Sequence, residues 1–274
     1  MLRSFLFCLL ILVKAEFSFS AKVDTLHIKS KSMHKSIPNL VIKPDNYIYT
    51  NKRFPVVYLL HGAGDNYLGW LKVAPDLTKY ADSFNVIIVC PDGGNTSWYF
   101  DSPIDSKMKY ETYTTSELVK TIDIKYRTIA NKTGRALSGL SMGGHGALYL
   151  SFRHTDIYGA AGSTSGGVDI RPFPNGWDLP KRLGPYKLTP GVWDKHTVIN
   201  MVDKVVGKNL QIIFDCGYDD FFYEGNKKLH LKLVEKKIKH VYKEKPGNHS
   251  VAYWRESIFH HFVFFNEYFS KSNQ

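Results

Sequence analysis

A serine, an aspartate and a histidine stand in separate turn-like segments of this sequence, and together they could carry out acyl transfer. Ser141 is the centre of GLSMG (139–143), which has the G-x-S-x-G pattern. An apolar run precedes it and small residues with helical spacing follow, as in a strand–turn–helix nucleophile elbow. The pattern predicts a strained serine backbone and requires glycine on both sides, since larger side chains would strike the neighbouring strand or helix. Alone, the pentapeptide also fits a turn with a helix-capping serine.

The base and the acid follow Ser141 along the chain. His249 lies in the loop PGNHS (246–250) after the last strand-like run, where it can accept the serine proton and return it to a leaving alcohol. Asp219 and Asp220 both lie in GYDD (217–220). The G-x-x-D spacing favours Asp220, with Asp219 as the alternative. The order serine, acid, histidine is that of α/β-hydrolases.

Two backbone N–H groups are predicted to form an oxyanion hole. One belongs to Met142, directly after the serine. The other belongs to Ala63 in the turn HGAG (61–64), which follows the buried strand-like run FPVVYLL (54–60). One such donor typically contributes about 3–4 kcal/mol to transition-state stabilisation.

Strand-like and helix-like segments alternate through most of the chain. Such alternation predicts a mostly parallel sheet between helical layers, so the fold class is α/β, an α/β-hydrolase three-layer sandwich. Segments 22–50 predict a leading antiparallel pair, and 114–127 predict a helix capped at Thr115 or Ser116. Residues 21–274 are predicted to form one domain. The Gly-, Pro- and Trp-rich stretch 166–208 interrupts the alternation and is predicted to be a lid-like insertion.

Aromatic residues in two loops are candidate substrate contacts. Trp98 and Tyr99 follow the buried strand-like run NVIIVC (85–90), and Trp177 lies in the predicted lid. Trp98 and Tyr99 would equally serve as cover for the sheet edge. Trp177, like Trp193 in the same stretch, would equally serve to pin an irregular loop to the body of the protein.

Residues 1–20 carry Arg3 before a short apolar run, followed by small residues, which is typical of a secretory signal peptide. The protein is therefore expected to be secreted or periplasmic, and no later run is long enough for a membrane span. The net charge of +11 accompanies no nucleic-acid motif, so a solvated basic face is expected, with attraction to acidic polysaccharide or to a cell surface as the alternative. Cys90 and Cys216 are expected to be buried thiols rather than a disulfide. No metal or other cofactor is expected, and the sequence assigns no oligomeric state.

The segments LLHGAGDNYLGW, PDGGNTSWYFDSP, GLSMGGHGALYL, CGYDDFFYEGN and GNHS together resemble the esterase D-like family. The resemblance covers about residues 35–268. It implies an α/β-hydrolase fold without a metal, and it implies triad roles for Ser141, Asp220 and His249, with oxyanion donors at Met142 and Ala63. The family includes acetyl xylan and feruloyl esterases, S-formylglutathione hydrolases, tributyrin esterase-like enzymes and antigen 85 mycolyltransferases.

With a signal peptide and aromatic loops, the resemblance favours a secreted serine carboxylester hydrolase that removes acetyl or feruloyl groups from carbohydrate esters. The expected partner is an acylated carbohydrate or another small ester. The alternatives are an S-formylglutathione hydrolase-like thioesterase, an acyltransferase to a sugar hydroxyl, and a carbohydrate-binding protein on an inactive hydrolase scaffold. The signal peptide argues against the thioesterase, and the complete set of triad residues argues against the inactive scaffold.

Overall fold

The chain between residues 21 and 272, which a computed structural model describes, contains one sheet of eight strands. The strand order is β1-β2-β4-β3-β5-β6-β7-β8. β1 pairs with β2, and β2 with β4, in antiparallel fashion, whereas all later neighbours are parallel. The antiparallel leading pair is therefore confirmed. The strands are β1 Lys22–Ser30, β2 Lys35–Lys43, β3 Val56–Leu60, β4 Ile87–Pro91, β5 Arg135–Gly139, β6 Ala160–Thr164, β7 Gln211–Gly217 and β8 Val241–Lys245.

Helices connect the parallel strands and cover both faces of the sheet. The helices in this part of the chain are α1 Gly69–Val73, α2 Leu77–Ser83, α3 Tyr110–Thr112, α4 Val119–Lys125, α5 Met142–Arg153, α6 Leu179–Leu183, α7 Pro190–Lys195, α8 Tyr223–Glu235 and α9 Val251–Ser272. A π-helical turn, Tyr113–Leu118, joins α3 to α4, and a 3₁₀ segment, Val198–Val205, follows α7.

The sheet divides the apolar core into two layers, and the alternating side chains of β3 contribute to both. Successive side chains of a strand point to opposite faces. Val56, Tyr58 and Leu60 join the layer beneath α5 and α8, whereas Val57 and Leu59 join the layer beneath α1, α2 and α9. All five residues of β3 are buried, as a strand covered on both faces requires. The predicted α/β three-layer fold is confirmed.

The helix predicted over 114–127 begins earlier, and its predicted cap is wrong. It starts at Tyr110 as α3, and the hydroxyl of Thr115 donates within the helix to the carbonyl of Glu111. Its N-terminal capping interaction comes from outside the helix, because Asp101 Oδ1 accepts the N–H of Thr112 at 3.0 Å. A cap supplied by a preceding loop leaves no local sequence signal.

The segment 166–208 packs into the body of the protein. Its apolar side chains at Val168, Leu183, Trp193 and Val202 are buried in the same layer as α5. Trp193 is fully buried and donates through Nε1 to the carbonyl of Gly184, so it pins the segment. Its role as a lid remains a prediction.

Two further sequence expectations concern the cysteines and the N-terminal segment. Cys90 and Cys216 are buried free thiols on β4 and β7, which are not adjacent in the sheet. The expected signal peptide, 1–20, lies outside the described residues. Among residues 21–272, no helix has both the length and the apolar character that a bilayer span requires.

Candidate active site

The turn between β5 and α5 holds Ser141 in an unusual backbone conformation. Its φ of 55° and ψ of −118° lie outside the regions that L-residues ordinarily occupy, as the predicted elbow requires. A Cβ at Gly139 would overlap the carbonyl of Gly143, and a Cβ at Gly143 would overlap the carbonyl of Leu60. Both glycines are therefore required, because the turn brings strand and helix backbones into contact.

The three loops that carry Ser141, Asp220 and His249 meet above the carboxyl ends of the parallel strands. His249 Nδ1 lies 2.8 Å from Asp220 Oδ2, and His249 Nε2 lies 2.9 Å from Ser141 Oγ. An ionised carboxylate can only accept, so the imidazole proton resides on Nδ1. Nε2 is then left as the acceptor for the serine hydroxyl. The geometry is that of a serine nucleophile, its base and the carboxylate that orients the base.

The structure distinguishes the two aspartates of the β7 turn. Asp220 is buried, and its Oδ1 also accepts the N–H of Phe222 at 2.9 Å, so both carboxylate oxygens have partners. Asp219 has an exposed side chain, and its backbone N–H donates to the carbonyl of Gly247 at 3.0 Å. This bond links the acid loop to the histidine loop, whereas only Asp220 reaches the imidazole.

The predicted oxyanion donors lie on the turn after β3 and at the first residue of α5. Within residues 21–272, neither the N–H of Ala63 nor that of Met142 has a protein acceptor. Met142 begins α5, so the positive end of the helix dipole adds to its N–H at this point. Two unpaired donors beside the serine hydroxyl can stabilise a developing oxyanion.

His61 holds the peptide that joins Gly62 to Ala63, a contact that the sequence did not reveal. Gly93 N–H donates to His61 Nε2 at 2.8 Å, which leaves the imidazole proton on Nδ1 to donate to Gly62 O at 2.8 Å. In a trans peptide the carbonyl of Gly62 and the N–H of Ala63 point in opposite directions. Holding the carbonyl towards His61 therefore turns the N–H away from it. Burial lowers the pKa of His61, which keeps the ring neutral.

Trp98 and Tyr99 do not line the cleft, which corrects the expectation that they contact substrate. Their exposed fractions are 1% and 0%. Trp98 donates through Nε1 to the carbonyl of Trp177, and the Tyr99 hydroxyl donates to the carbonyl of His61. Both side chains lie in the core and support the loops around the site. This agrees with the alternative prediction that they cover the edge of the sheet.

Trp177 does reach the surface beside the histidine. It is 36% exposed and stacks on Phe221, with ring centroids 5.7 Å apart. Phe221 is 50% exposed, and its ring centroid lies 4.3 Å from that of His249. These rings form an aromatic strip, Trp177–Phe221–His249, that leads away from the serine. Phe221 was not among the predicted contacts, although its position directly after Asp220 places it at the site.

His145, on the buried side of α5, is a titratable group with no role in this arrangement. Its Nδ1 lies 2.9 Å from the carbonyl of Gly167, and within residues 21–272 its buried Nε2 has no partner. Burial lowers the pKa of His145 to about 4. The same part of the chain contains no group of three or more histidine, cysteine or acidic side chains placed to share a metal ion.

The mostly parallel sheet with helices on both sides, and a serine at the elbow after β5, define an α/β-hydrolase. The chain belongs to the family described as "Putative esterase", whose match covers residues 30–265.

Three relatives illustrate the similarity. Esterase MT1326 of Mycobacterium tuberculosis (strain CDC 1551 / Oshkosh) is 36% identical over 141 residues, which are 48% of this chain. The match spans only 29% of that longer protein. The acetyl esterase of Caldicellulosiruptor saccharolyticus is 24% identical over 258 residues, covering 85% of this chain and 94% of its own. A solved ferulic acid esterase structure has a TM-score of 0.80 at 27% identity, covering 92% of this chain and 99% of its own.

Proposed function

We propose that this protein is a secreted serine carboxylester hydrolase that removes acetyl or feruloyl groups from carbohydrate esters. The observation that carries the proposal is the hydrogen-bonded series Asp220–His249–Ser141, with contacts of 2.8 and 2.9 Å. The N–H groups of Met142 and Ala63, which have no acceptor among residues 21–272, support the second requirement of acyl transfer, a place for the oxyanion.

In the first half of the reaction, Ser141 Oγ attacks the ester carbonyl carbon while His249 Nε2 takes the hydroxyl proton. The carbonyl oxygen becomes an oxyanion between the N–H groups of Met142 and Ala63. When the tetrahedral intermediate collapses, the carbon–alkoxy bond breaks and His249 gives its proton to the leaving alcohol. Asp220 stabilises the imidazolium until this proton is given up, and the acyl group is then held as an ester on Ser141.

In the second half, a water molecule takes the place of the alcohol. His249 accepts a proton from this water, whose oxygen attacks the acyl carbon. The second oxyanion forms in the same place and collapses with cleavage of the bond to Ser141 Oγ. The imidazolium returns its proton to the serine, so the carboxylic acid leaves and the enzyme is restored.

The aromatic strip supports an ester with a flat or cyclic group as the substrate. Feruloyl rings and the apolar faces of sugars both bind aromatic side chains. The exposed faces of Trp177 and Phe221 lie next to the base rather than in a closed pocket, so a large substituent can extend along them. The names of the acetyl esterase and ferulic acid esterase relatives agree with such substrates.

The proposal is tested with a panel of acetylated xylan, feruloylated arabinoxylan, methyl ferulate, p-nitrophenyl acetate and S-formylglutathione. We expect turnover of oxygen esters by the full chain and its loss in Ser141→Ala, because the hydroxyl is the nucleophile. Ser151→Ala is the matched control, since Ser151 is also buried but lies ten residues beyond Ser141, near the far end of α5. Retained turnover in Ser141→Ala would refute the nucleophile.

The remaining alternatives are separated by the same assay. A preference for S-formylglutathione would identify a thioesterase. Acylated xylo-oligosaccharide or trehalose formed in the presence of these acceptors would identify an acyltransferase, because a sugar hydroxyl would then replace water in the second half. Secretion is tested by expression with and without residues 1–20. Export that does not depend on them would contradict the signal peptide.

A further inference from the structure

Two adjoining cavities lie at the opposite end of the sheet from Ser141. They open at the amino ends of β7 and β8, whereas Asp220 and His249 follow the carboxyl ends of these strands. The cavities have volumes of about 230 and 310 Å³ and share Asn209 and Gln211 in their walls. We call the two together the basal groove. Because the two cavities share this wall, the basal groove is one continuous surface.

Lysines surround the first cavity of the basal groove. Lys208, Lys236, Lys237 and Lys239 all line it. Lys236 is paired with Asp203, at 2.9 Å. The other three are exposed, and within residues 21–272 no carboxylate pairs with them. A concave surface with several uncompensated cations attracts an anionic ligand.

Amide and aromatic side chains line the second cavity. Asn209 and Gln211 both line this cavity, and Gln211 Nε2 donates to Asn209 Oδ1 at 3.1 Å. The Asn209 amide N–H groups and Gln211 Oε1 have no partner among residues 21–272. The ring of Tyr268 is fixed by its hydroxyl, which donates to the carbonyl of Lys132 at 3.1 Å. Paired amide donors and acceptors beside an aromatic ring suit the hydroxyl groups and apolar faces of sugars.

We propose that the basal groove is a second binding site, for a chain of acidic polysaccharide rich in uronic acid. The amides and Tyr268 would hold the sugar rings, and the lysines would pair with their carboxylates. Glu267 lines the same groove, which makes its charge uneven. Gln211 Oε1 can only accept a hydrogen bond, which a sugar hydroxyl can donate and a backbone phosphate of a nucleic acid cannot. The proposal does not depend on Ser141 being a nucleophile.

The test measures binding of an oligogalacturonide to the full chain at low and at physiological salt, with a neutral xylo-oligosaccharide and a single-stranded DNA as comparisons. We expect the triple variant Lys208→Glu, Lys237→Glu, Lys239→Glu to weaken oligogalacturonide binding at least about tenfold. The control Lys22→Glu, Lys52→Glu, Lys107→Glu changes three other exposed lysines and the same net charge. It should change binding less than about threefold, because binding depends on the groove rather than on total charge.

A second variant tests recognition of the sugar without changing charge. Asn209→Ala with Gln211→Ala should weaken oligogalacturonide binding several-fold, because it removes the hydroxyl partners. Turnover of p-nitrophenyl acetate by each groove variant should equal that of the unaltered protein, which reports correct folding. The proposal is overturned if the unaltered protein does not bind oligogalacturonide, if both lysine variants weaken binding equally, or if DNA binds more tightly and displaces it.

Discussion

His261 Nε2 lies 2.8 Å from Asp215 Oδ2 in the fully buried centre of the molecule. Asp215 also accepts from the hydroxyls of Thr164 and Ser257, and His261 Nδ1 lies 2.8 Å from Ser138 Oγ. Burial opposes ionisation of Asp215, yet these bonds outweigh it and lower the pKa of the carboxyl. The cluster joins β5, β6, β7 and α9, the elements next to Ser141, Asp220 and His249.

Replacement of His261 by Phe should destabilise the protein by about 3–5 kcal/mol, because it leaves a buried carboxylate without its main partner. The free energy of unfolding in urea measures the loss. His260→Phe, one residue earlier on α9 and outside the cluster, should cost less than about 1 kcal/mol. Equal losses in the two variants would show that the Asp215 cluster contributes nothing specific.

The two neighbouring aspartates should differ sharply in their effect on turnover. Asp220→Asn should lower kcat by about 10²–10⁴-fold with little change in the fold, because the imidazole loses the carboxylate that fixes its tautomer. Asp219→Asn should change kcat less than about threefold, since only its backbone N–H takes part in the loop contact. Steady-state kinetics on p-nitrophenyl acetate gives both values. A larger loss in Asp219→Asn would reassign the acid.

His61→Phe should lower kcat by about 10-fold or more while leaving KM within a few-fold. The peptide between Gly62 and Ala63 loses the contact that orients it, and one oxyanion donor acts mainly in the transition state. His61→Gln, whose amide can replace the donated bond, should recover part of the rate. A change confined to KM would place His61 in substrate binding instead.

Trp177→Ala should raise KM for methyl ferulate by roughly tenfold and leave kcat for p-nitrophenyl acetate near its original value. The variant removes one exposed face of the aromatic strip but no group that contacts Ser141. Trp177→Phe should keep most of the affinity, because an aromatic face remains. Equal effects on both esters would contradict a role in substrate selection.

The protein should lose stability as the pH falls from about 6.5 towards 4. Burial is the main cause of the lowered pKa of His145, about 4, with His196 adding to it. An unfolded histidine takes up its proton near pH 6.5, so between these values the unfolded chain binds more protons. The contribution at pH 4 is on the order of 3 kcal/mol. His145→Gln should flatten this pH dependence in urea unfolding, and an unchanged slope would refute the assignment.

Below this window a second group adds to the acid sensitivity. Burial opposes ionisation of Glu111, but hydrogen bonds from His154, Arg153 and Tyr149 outweigh it and lower its pKa to about 2. Because the folded-state pKa is lowered, this stabilisation is complete above about pH 4.5 and is lost as the pH falls towards 2. As the pH falls from 4.5 to 2, the free energy of unfolding of the Glu111→Gln variant should therefore decrease less than that of the unaltered chain.

Local sequence rules were sufficient to predict the strand–turn–helix at Ser141, the order of the candidate serine, acid and histidine, and the layered fold. These features depend on local rules: glycines beside Ser141, apolar runs that alternate with helical periodicity, and a connection rule that places loops after parallel strands at one edge. The choice between Asp219 and Asp220 required the tertiary structure, because neighbouring residues in a turn point in different directions.

Burial of the loop aromatics was likewise decided only by the tertiary structure. Trp98 and Tyr99 are residue types that often bind ligands in loops. In the folded protein, however, the glycines of α5 and the segment 166–208 pack against them and bury them. Phe221 and His61 acquire their places from residues distant in sequence, Trp177 and Gly93. The exposure and the contacts of a side chain depend on which distant segments pack against it. A local sequence pattern does not contain this information.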